Sequence, residues 1–309
     1  MPAPSAACYA PAVTGCAYVI GGAGFIGAKL VDALVAEGSR VVVVDPLAKP
    51  RSSVSTLAKA VAPEVLDDLF ATDPPTEVFH LGGSGSVGIA EADPEGDLVR
   101  TVESTRVLLE RCLSFPKCRL ILVSSAAVYG DTEAASLPES TERRPISVYG
   151  RNKSAAEDLV SASRATGSGA SIVRFFSVYG PGLRKQLLWD ACTRLRRDDS
   201  QFGGTGDELR DWLHVDDAVT LLRTVARAPN VPAVVNGGTG TGTSVREVLS
   251  TLAEALGANA ALRFSGVARA GDPLRMVADV HLAHELGWSP SRDLRDGLRE
   301  YARWFETLS

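Results

Sequence analysis

The chain has 309 residues, of which 45% are hydrophobic and 22% charged, and its formal net charge is −5. This composition is typical of a globular protein with a sizeable core, and the negative charge argues against nucleic acid or an anionic membrane as the main partner. No segment approaches the roughly 20 apolar residues that a membrane span needs. The five cysteines are scattered without a C-x-x-C pair. They therefore indicate free thiols in a reducing, cytoplasmic compartment, and no metal site.

Residues 1–14 have neither a basic start nor a long apolar segment, so we expect a loose arm rather than a secretory signal. The β-forming residues that follow lead into the glycine cluster Gly21–Gly27 and then into a helical pattern. Glycines in such a turn let the backbone approach a pyrophosphate, and the free N–H groups of the helix start bind the anion. Asp45 ends the next buried run, where a carboxylate would bind a ribose 2′-hydroxyl. This pattern predicts NAD rather than NADP.

Short apolar runs alternate with helical patterns through the first 175 residues. The predicted strands are 16–20, 41–45, 77–81, 119–124 and 170–175, and the predicted helices are 25–37, 97–114 and 148–166. This alternation predicts an α/β fold with a Rossmann-type, doubly wound parallel sheet. The segment 46–76 is compatible with helix or strand. Glycine-rich loops after residue 176 predict a smaller, mixed C-terminal lobe. We expect a cofactor domain at 15–176, rejoined by 211–235, and a substrate lobe at 177–210 and 236–309.

Three residues in mid-chain have the pattern of acid–base chemistry. Ser125 ends a buried strand, and Tyr149 and Lys153 lie four residues apart at the start of a helix, hence on one face. A free tyrosine has a pKa of about 10, so a tyrosine base requires a stabilised phenolate. The Lys153 ammonium and a positive nicotinamide ring would supply that stabilisation by charge attraction. Ser125 would hydrogen-bond the same substrate oxygen.

With these motifs the chain resembles the extended short-chain dehydrogenase/reductase family, and more narrowly its nucleotide-sugar epimerase/dehydratase branch. The resemblance extends over nearly the whole chain in the right order. The matching segments are 21–27, 79–83, 124–130, 149–153, 178–182, 210–217 and 269–272.

The resemblance implies a role for each matching residue. Tyr149 would be the acid and base, Lys153 would bind the nicotinamide ribose, and Ser125 would orient the sugar hydroxyl. The implied cofactor-binding residues are Gly21, Gly24, Phe25, Ile26, Gly27, Asp45, Leu81, Gly82, Gly83, Ser124, Tyr149, Lys153 and Phe176. The implied substrate-binding residues are Ser125, Ser177, Arg210, Arg269, Asp272 and Met276, of which the two arginines would hold the diphosphate. The helices at 97–114 and 148–166 match those that pair in homodimeric relatives.

Departures from the family pattern reduce the number of reactions that the chain is expected to catalyse. Sugar 4,6-dehydratases carry an acidic pair where this chain has Ala126 and Ala127, so dehydration is disfavoured. A cofactor-side lysine of some relatives aligns with Gly85, and the residue that gates sugar size aligns with Met276. The leading hypothesis is an NAD-dependent epimerase that inverts C4 of a nucleotide-linked hexose through a 4-keto intermediate. A 4-ketoreductase or dehydrogenase of a nucleotide-linked deoxysugar remains open, as does a non-catalytic nucleotide-binding protein.

Overall fold

The computed structural model describes residues 15–132, 134–258, 261–267 and 273–308. The predicted arm at 1–14 and the predicted substrate residues Arg269 and Asp272 lie outside the described residues. The described strands are β1 Cys16–Ile20, β2 Arg40–Val44, β3 Ser55–Leu57, β4 Glu77–His80, β5 Arg119–Ser125, β6 Ser171–Phe175, β7 Ser177–Tyr179, β8 Gln201–Phe202, β9 Leu209–His214, β10 Val234–Gly237, β11 Gly242–Ser244, β12 Arg263–Phe264 and β13 Arg275–Met276. The described helices are α1 Phe25–Ala36, α2 Pro63–Thr72, α3 Val87–Ala92, α4 Pro94–Leu98, α5 Ser104–Leu113, α6 Val148–Ala165, α7 Gln186–Leu195, α8 Val215–Arg227, α9 Val245–Ala255, α10 His281–Glu285 and α11 Leu294–Glu306.

In the described part of the chain, seven strands form the main sheet in the order β10-β6-β5-β4-β1-β2-β3. Every neighbouring pair is parallel. Parallel strands covered on both faces are apolar throughout, and β1 and four of the five residues of β2 are buried. Helices α1 and α8 pack on one face, and α2, α5 and α6 pack on the other. The predicted doubly wound α/β sheet is confirmed.

The segment 46–76, which the pattern left open, contains both kinds of element. β3 adds a parallel strand beside β2 at the edge of the sheet. Helix α2 then begins at Pro63, whose fixed φ and missing N–H suit the first position of a helix.

The predicted helix 97–114 is not continuous in the structure. A π-helical turn at Val99–Glu103 separates α4 from α5. Around this turn the side chains of Asp97 and Thr101 are directed inward, with 0% and 1% exposure. Periodicity did not reveal this change of pitch, because π turns occur as single insertions into an otherwise α-helical pattern.

The smaller lobe is mixed, as predicted. It contains a sheet in which β9 is the central strand, between β11 and β13, with β7 paired to β9 as well. Helices α7, α9 and α11 enclose a separate apolar core beneath it. Ser244 caps α9 by accepting a hydrogen bond from Glu247 N at 3.1 Å, in agreement with the capping pattern of the sequence. After α8 the chain returns to the main sheet as β10.

Within the described residues no helix is long and apolar enough to cross a membrane. The same residues contain no group of three or more histidine, cysteine or acidic side chains placed to hold a metal ion.

Candidate active site

The predicted site residues follow the carboxyl ends of neighbouring parallel strands. Gly21 follows β1, Asp45 follows β2, and Leu81 follows β4. Ser124 and Ser125 end β5. Because all of these strands are parallel, their ends meet at one edge of the sheet, which is where open α/β sheets bind ligands.

The glycine turn has the shape of an anion cradle. Gly21 has a φ of +80°, in the left-handed region that favours glycine. A Cβ atom at Gly27 would overlap the Gly21 carbonyl and lie 2.9 Å from the Gly22 Cα, so helix and strand approach here only because a side chain is missing. Gly24 precedes α1 without a side-chain cap, which leaves the first N–H groups of that helix available to an anion.

Asp45 is held against this turn. Its Oδ2 accepts a hydrogen bond from Ala23 N at 3.1 Å, and its Oδ1 accepts one from Leu47 N at 2.8 Å. The carboxylate therefore lies beside the pyrophosphate cradle, next in chain order to the strand end where a carboxylate binds a ribose hydroxyl in dinucleotide sites. The residues present fit NAD.

The segment Leu81–Gly83 joins the glycine turn to the predicted catalytic lysine. A Cβ atom at Gly21 would lie 2.9 Å from the Leu81 carbonyl carbon and 3.0 Å from Gly82 N. Gly83, with a φ of +123°, lies so close to α6 that its Cβ would be 3.4 Å from the Lys153 Nζ. Side chains on this segment would fill the space along which a dinucleotide would extend.

Ser125, Tyr149 and Lys153 are brought together at the end of β5. The Lys153 Nζ lies 5.9 Å from the centre of the Tyr149 ring and donates a hydrogen bond to the Val123 carbonyl at 2.9 Å. Ser147 caps α6 by accepting a hydrogen bond from Gly150 N at 3.1 Å, and this fixes the start of the helix that carries Tyr149 and Lys153.

Burial dominates the protonation of this group. It raises the pKa of Tyr149 to about 12, although a hydrogen bond with Ser125 lowers it in part. It lowers the pKa of Lys153 to about 8, against the attraction of Asp97 and Glu157. A pKa near 12 holds Tyr149 as a phenol at neutral pH. The charge of Lys153 and a positive nicotinamide ring must therefore overcome a larger barrier to the phenolate than a solvated tyrosine would present.

The sequence did not single out Asp97, a buried carboxylate close to this group. Its Oδ2 accepts from Asn152 Nδ2 at 2.8 Å, and its Oδ1 accepts from Ser84 N at 3.2 Å and from Thr101 Oγ1 at 3.2 Å. It thus ties the loop after β4 to α6, next to Lys153. No local signal marked it in the sequence, because Asp97 is one of several charges on its helical pattern.

A second buried network, also missed, supports the end of β5 from below. Glu157 Oε1 accepts a hydrogen bond from Ser124 Oγ at 2.6 Å, and Glu157 Oε2 pairs with Arg174 Nη2 at 2.6 Å. Arg174 also donates to the Tyr129 hydroxyl at 2.9 Å, and that hydroxyl donates to Asn236 Oδ1 at 2.7 Å. The network links β5, β6, α6 and β10 directly behind Ser125.

The predicted substrate residues that the structure describes lie at the junction with the smaller lobe. Ser177 pairs with Trp212 between β7 and β9, and Arg210 on β9 pairs with Met276 on β13. Met276 is buried in a small cluster with Ala126 and Tyr129, against which Phe176 packs. Met276 is therefore clustered with Ala126, the residue after Ser125, while its backbone pairs with Arg210.

The sequence profile of the NAD dependent epimerase/dehydratase family matches residues 17–238. The chain belongs to this family. It is 32% identical to the UDP-glucose 4-epimerase of Streptomyces lividans over 300 residues, covering 89% of this chain and 91% of that one.

Solved structures agree over almost the full length. The UDP-glucose 4-epimerase of Thermotoga maritima, solved with UDP-glucose, superimposes with a TM-score of 0.87 at 29% identity and covers 95% of this chain and 100% of that one. MoeE5, solved with UDP-glucuronic acid and NAD, superimposes with a TM-score of 0.86 at 34% identity and covers 96% and 100%. The predicted NAD dependence and the predicted epimerase branch are confirmed, and the protein is an NAD-dependent enzyme.

Proposed function

We propose that this protein epimerises C4 of a nucleotide-diphosphate hexose, with Ser125, Tyr149 and Lys153 as the catalytic residues. The observation that carries the proposal is the Lys153 ammonium above the Tyr149 ring, beside Ser125 and at the end of a glycine segment leading from the dinucleotide turn. NAD, which the glycine turn and Asp45 would hold, would supply a hydride acceptor and donor for C4 of the sugar.

The residues of the chain would handle the proton and the orientation of the sugar. Tyr149 would take the proton of the C4 hydroxyl at its phenolic oxygen and return it after the 4-keto sugar has turned over. Ser125 would donate to the same sugar oxygen, which places that oxygen within reach of the tyrosine. Lys153 is fixed by the Val123 carbonyl, so its charge stays near the forming phenolate without needing to move.

The residues beside Ser125 support epimerisation over dehydration. Loss of water from the sugar needs a further acid and base, and Ala126 and Ala127 provide neither. Ala126 is buried against Met276, so the wall of the sugar pocket there is apolar. The substrate's diphosphate would be bound by Arg210, together with Arg269.

The proposal includes a homodimer. Large apolar side chains are exposed around α3, α4 and the π turn, namely Val87, Ile89, Leu98 and Val99, with exposures from 44% to 59%. Leu98 and Val99 belong to the segment 97–114, and α3 and α4 contact α6, so the exposed residues lie in or beside the two segments that match the pairing helices of relatives. Analytical ultracentrifugation that finds only monomer at micromolar concentration would contradict this part of the proposal.

We also propose that the enzyme acts in the cytoplasm, which the buried free thiols of Cys16, Cys112, Cys118 and Cys192 support. We propose that residues 15–176 and 211–235 form the cofactor-binding domain, and that residues 177–210 and 236–309 form the substrate-binding lobe.

Two measurements test the function. Mass spectrometry of nucleotides released from the purified protein should find NAD. UDP-, GDP-, CDP- and dTDP-sugars are then incubated with the protein without added cofactor, while NMR follows the configuration at C4. We expect the sugars of one nucleotide class to be epimerised by the native protein and not by Tyr149→Phe. If configuration changes only after NADH or NADPH is supplied, the protein is a ketoreductase and the proposal fails.

A further inference from the structure

Lys185 connects the loop before α7 to the loop after β4. It is the residue immediately before α7, and its Nζ donates a hydrogen bond to the Gly85 carbonyl at 3.0 Å, across 100 residues of chain. Gln186 Nε2 approaches the same carbonyl at 3.5 Å. Gln186 has a φ of +66°, an unusual conformation for a residue with a side chain.

The charge of Lys185 has no counter-ion in the described residues. The hydrogen bond to Gly85 is with a neutral carbonyl, and no described carboxylate forms an ion pair with the Nζ. The side chain is half-buried, and burial lowers the pKa of its ammonium. Burying a cation without a partner is unfavourable, so an anionic ligand at this point gains from the charge already held there.

The position of the Gly85 loop indicates which anion that is. Gly82 abuts the Gly21 turn, because a Cβ atom at Gly21 would lie 3.0 Å from Gly82 N. The loop that carries Lys185 reaches the same turn, because a Cβ atom at Gly182 would lie 3.6 Å from the ring of Phe25, the first residue of α1. The anion expected at that turn is the cofactor's diphosphate. The diphosphate of the substrate is expected at Arg210, on β9.

We propose that Lys185 binds the diphosphate of NAD, donating from the substrate-side loop a charge that the Gly85 loop itself lacks. The Lys185 Nζ lies only 2.8 Å from where a Cβ atom at Gly85 would be, so the ammonium occupies the space of a side chain at that position. Its bond to the Gly85 carbonyl holds both loops over the cofactor, and NAD leaves slowly as a result. The distinction from the substrate's diphosphate rests on the function proposed above.

The test uses Lys185→Met, which keeps the aliphatic stem and removes the charge. Lys117→Met is the matched control, because Lys117 is exposed and lies before β5, at the opposite edge of the sheet. Lys185→Arg keeps the charge. The double variant Gly85→Lys/Lys185→Met returns an ammonium to the same space from the other loop. Exchange of bound NAD against labelled NAD is measured on the purified holoenzyme, and the affinity for UDP is measured by calorimetry.

We expect NAD exchange to be about ten- to a hundredfold faster in Lys185→Met, the factor for one charge-assisted hydrogen bond. Lys117→Met and Lys185→Arg should exchange NAD at close to the native rate, and the double variant should recover part of the loss. The affinity for UDP should change less than twofold. An unchanged rate of NAD exchange in Lys185→Met overturns the proposal. So does a variant that loses affinity for UDP but not for NAD. The proposal also fails if NAD exchange is fast in Lys185→Met and stays as fast in both Lys185→Arg and the double variant. NAD exchange can be measured without turnover. A native enzyme that epimerises none of the sugars would therefore contradict the proposed function but would leave the test of Lys185 intact.

Discussion

The buried pair Glu157–Arg174 allows a quantitative test of how the end of β5 is supported. The two side chains are 1% and 5% exposed, and their closest contact is 2.6 Å. Replacing Glu157 by Gln keeps the shape of the side chain and its acceptor oxygen but leaves the guanidinium of Arg174 without its charge partner. Arg174 keeps its hydrogen bonds to the Tyr129 hydroxyl and the Glu139 carbonyl and can still donate to the amide oxygen, but it loses the negative charge of Glu157.

Removing one partner of a buried ion pair typically costs about 3–5 kcal/mol, because the remaining charge stays desolvated. The amide oxygen introduced by Glu157→Gln would still accept hydrogen bonds, so we expect this variant to lose about 3 kcal/mol of the free energy of unfolding. The double variant Glu157→Leu/Arg174→Met removes both charges. It should cost only about 1–2 kcal/mol, because Ser124 and Tyr129 each lose a hydrogen-bond partner, while Arg143 loses Glu157 but keeps its ion pair with Asp158.

Urea unfolding followed by circular dichroism measures these differences. The matched control is Glu142→Gln, which breaks the ion pair with Arg144 at a site where the side chains are 72% and 73% exposed. An exposed pair contributes about 0–1 kcal/mol, so this variant should unfold close to the native protein. If Glu157→Gln proves no less stable than Glu142→Gln, or if the double variant is the least stable of the three, the argument from buried charge is wrong.

Three further predictions concern the site. Burial lowers the pKa of Lys153 from 10.5 to about 8, so between these pH values the unfolded chain binds a proton that the folded protein does not. The free energy of unfolding should therefore rise by about 1.5 kcal/mol from pH 8 to 9.5. Urea unfolding at both pH values should show this rise in the native protein and not in Lys153→Met. Gly27→Ala places a methyl group against the Gly21 carbonyl, so the purified variant should release less than a tenth of the native NAD by mass spectrometry, and full NAD content would contradict the cradle. Met276→Ala opens space next to Arg210 and Phe176, where a larger sugar substituent would fit. The ratio of the turnover of a UDP-N-acetylhexosamine to that of a UDP-hexose should therefore rise at least fivefold. An unchanged ratio would contradict a role for Met276 in limiting the size of the sugar.

The sequence predicted those parts of the site that depend on local pattern. A buried run followed by glycines and a helical period is sufficient for the turn at Gly21–Gly27, because strand, turn and helix are adjacent in the chain. Ser125 and Tyr149 were found for the same reason, each at the boundary of a well-marked element. The parallel sheet followed from the alternation of these elements.

Other parts were beyond the reach of pattern, because they depend on contacts between distant segments. Asp97 reads as one more charge on an amphipathic helix until the π turn directs it inward toward Ser84 and Asn152. Lys185 and Gly85 become neighbours only when the two loops are folded. The short strand β3 has only three residues, of which two are half-buried, and this is too short for an alternating pattern of apolar and polar residues.

The late position of β10 in the chain has a consequence for synthesis on the ribosome. β6 ends at Phe175, but its outer neighbour β10 begins at Val234, after the chain has passed through β7, β9 and α8. At a translation rate of about 5–20 residues per second, the unpaired edge of β6 waits roughly 3–12 s for its partner strand. During that interval a row of free backbone groups beside buried apolar side chains is open to pairing with other nascent chains. Truncation before β10 should therefore yield aggregated protein, and chaperone dependence should be greatest while residues 176–233 are being made.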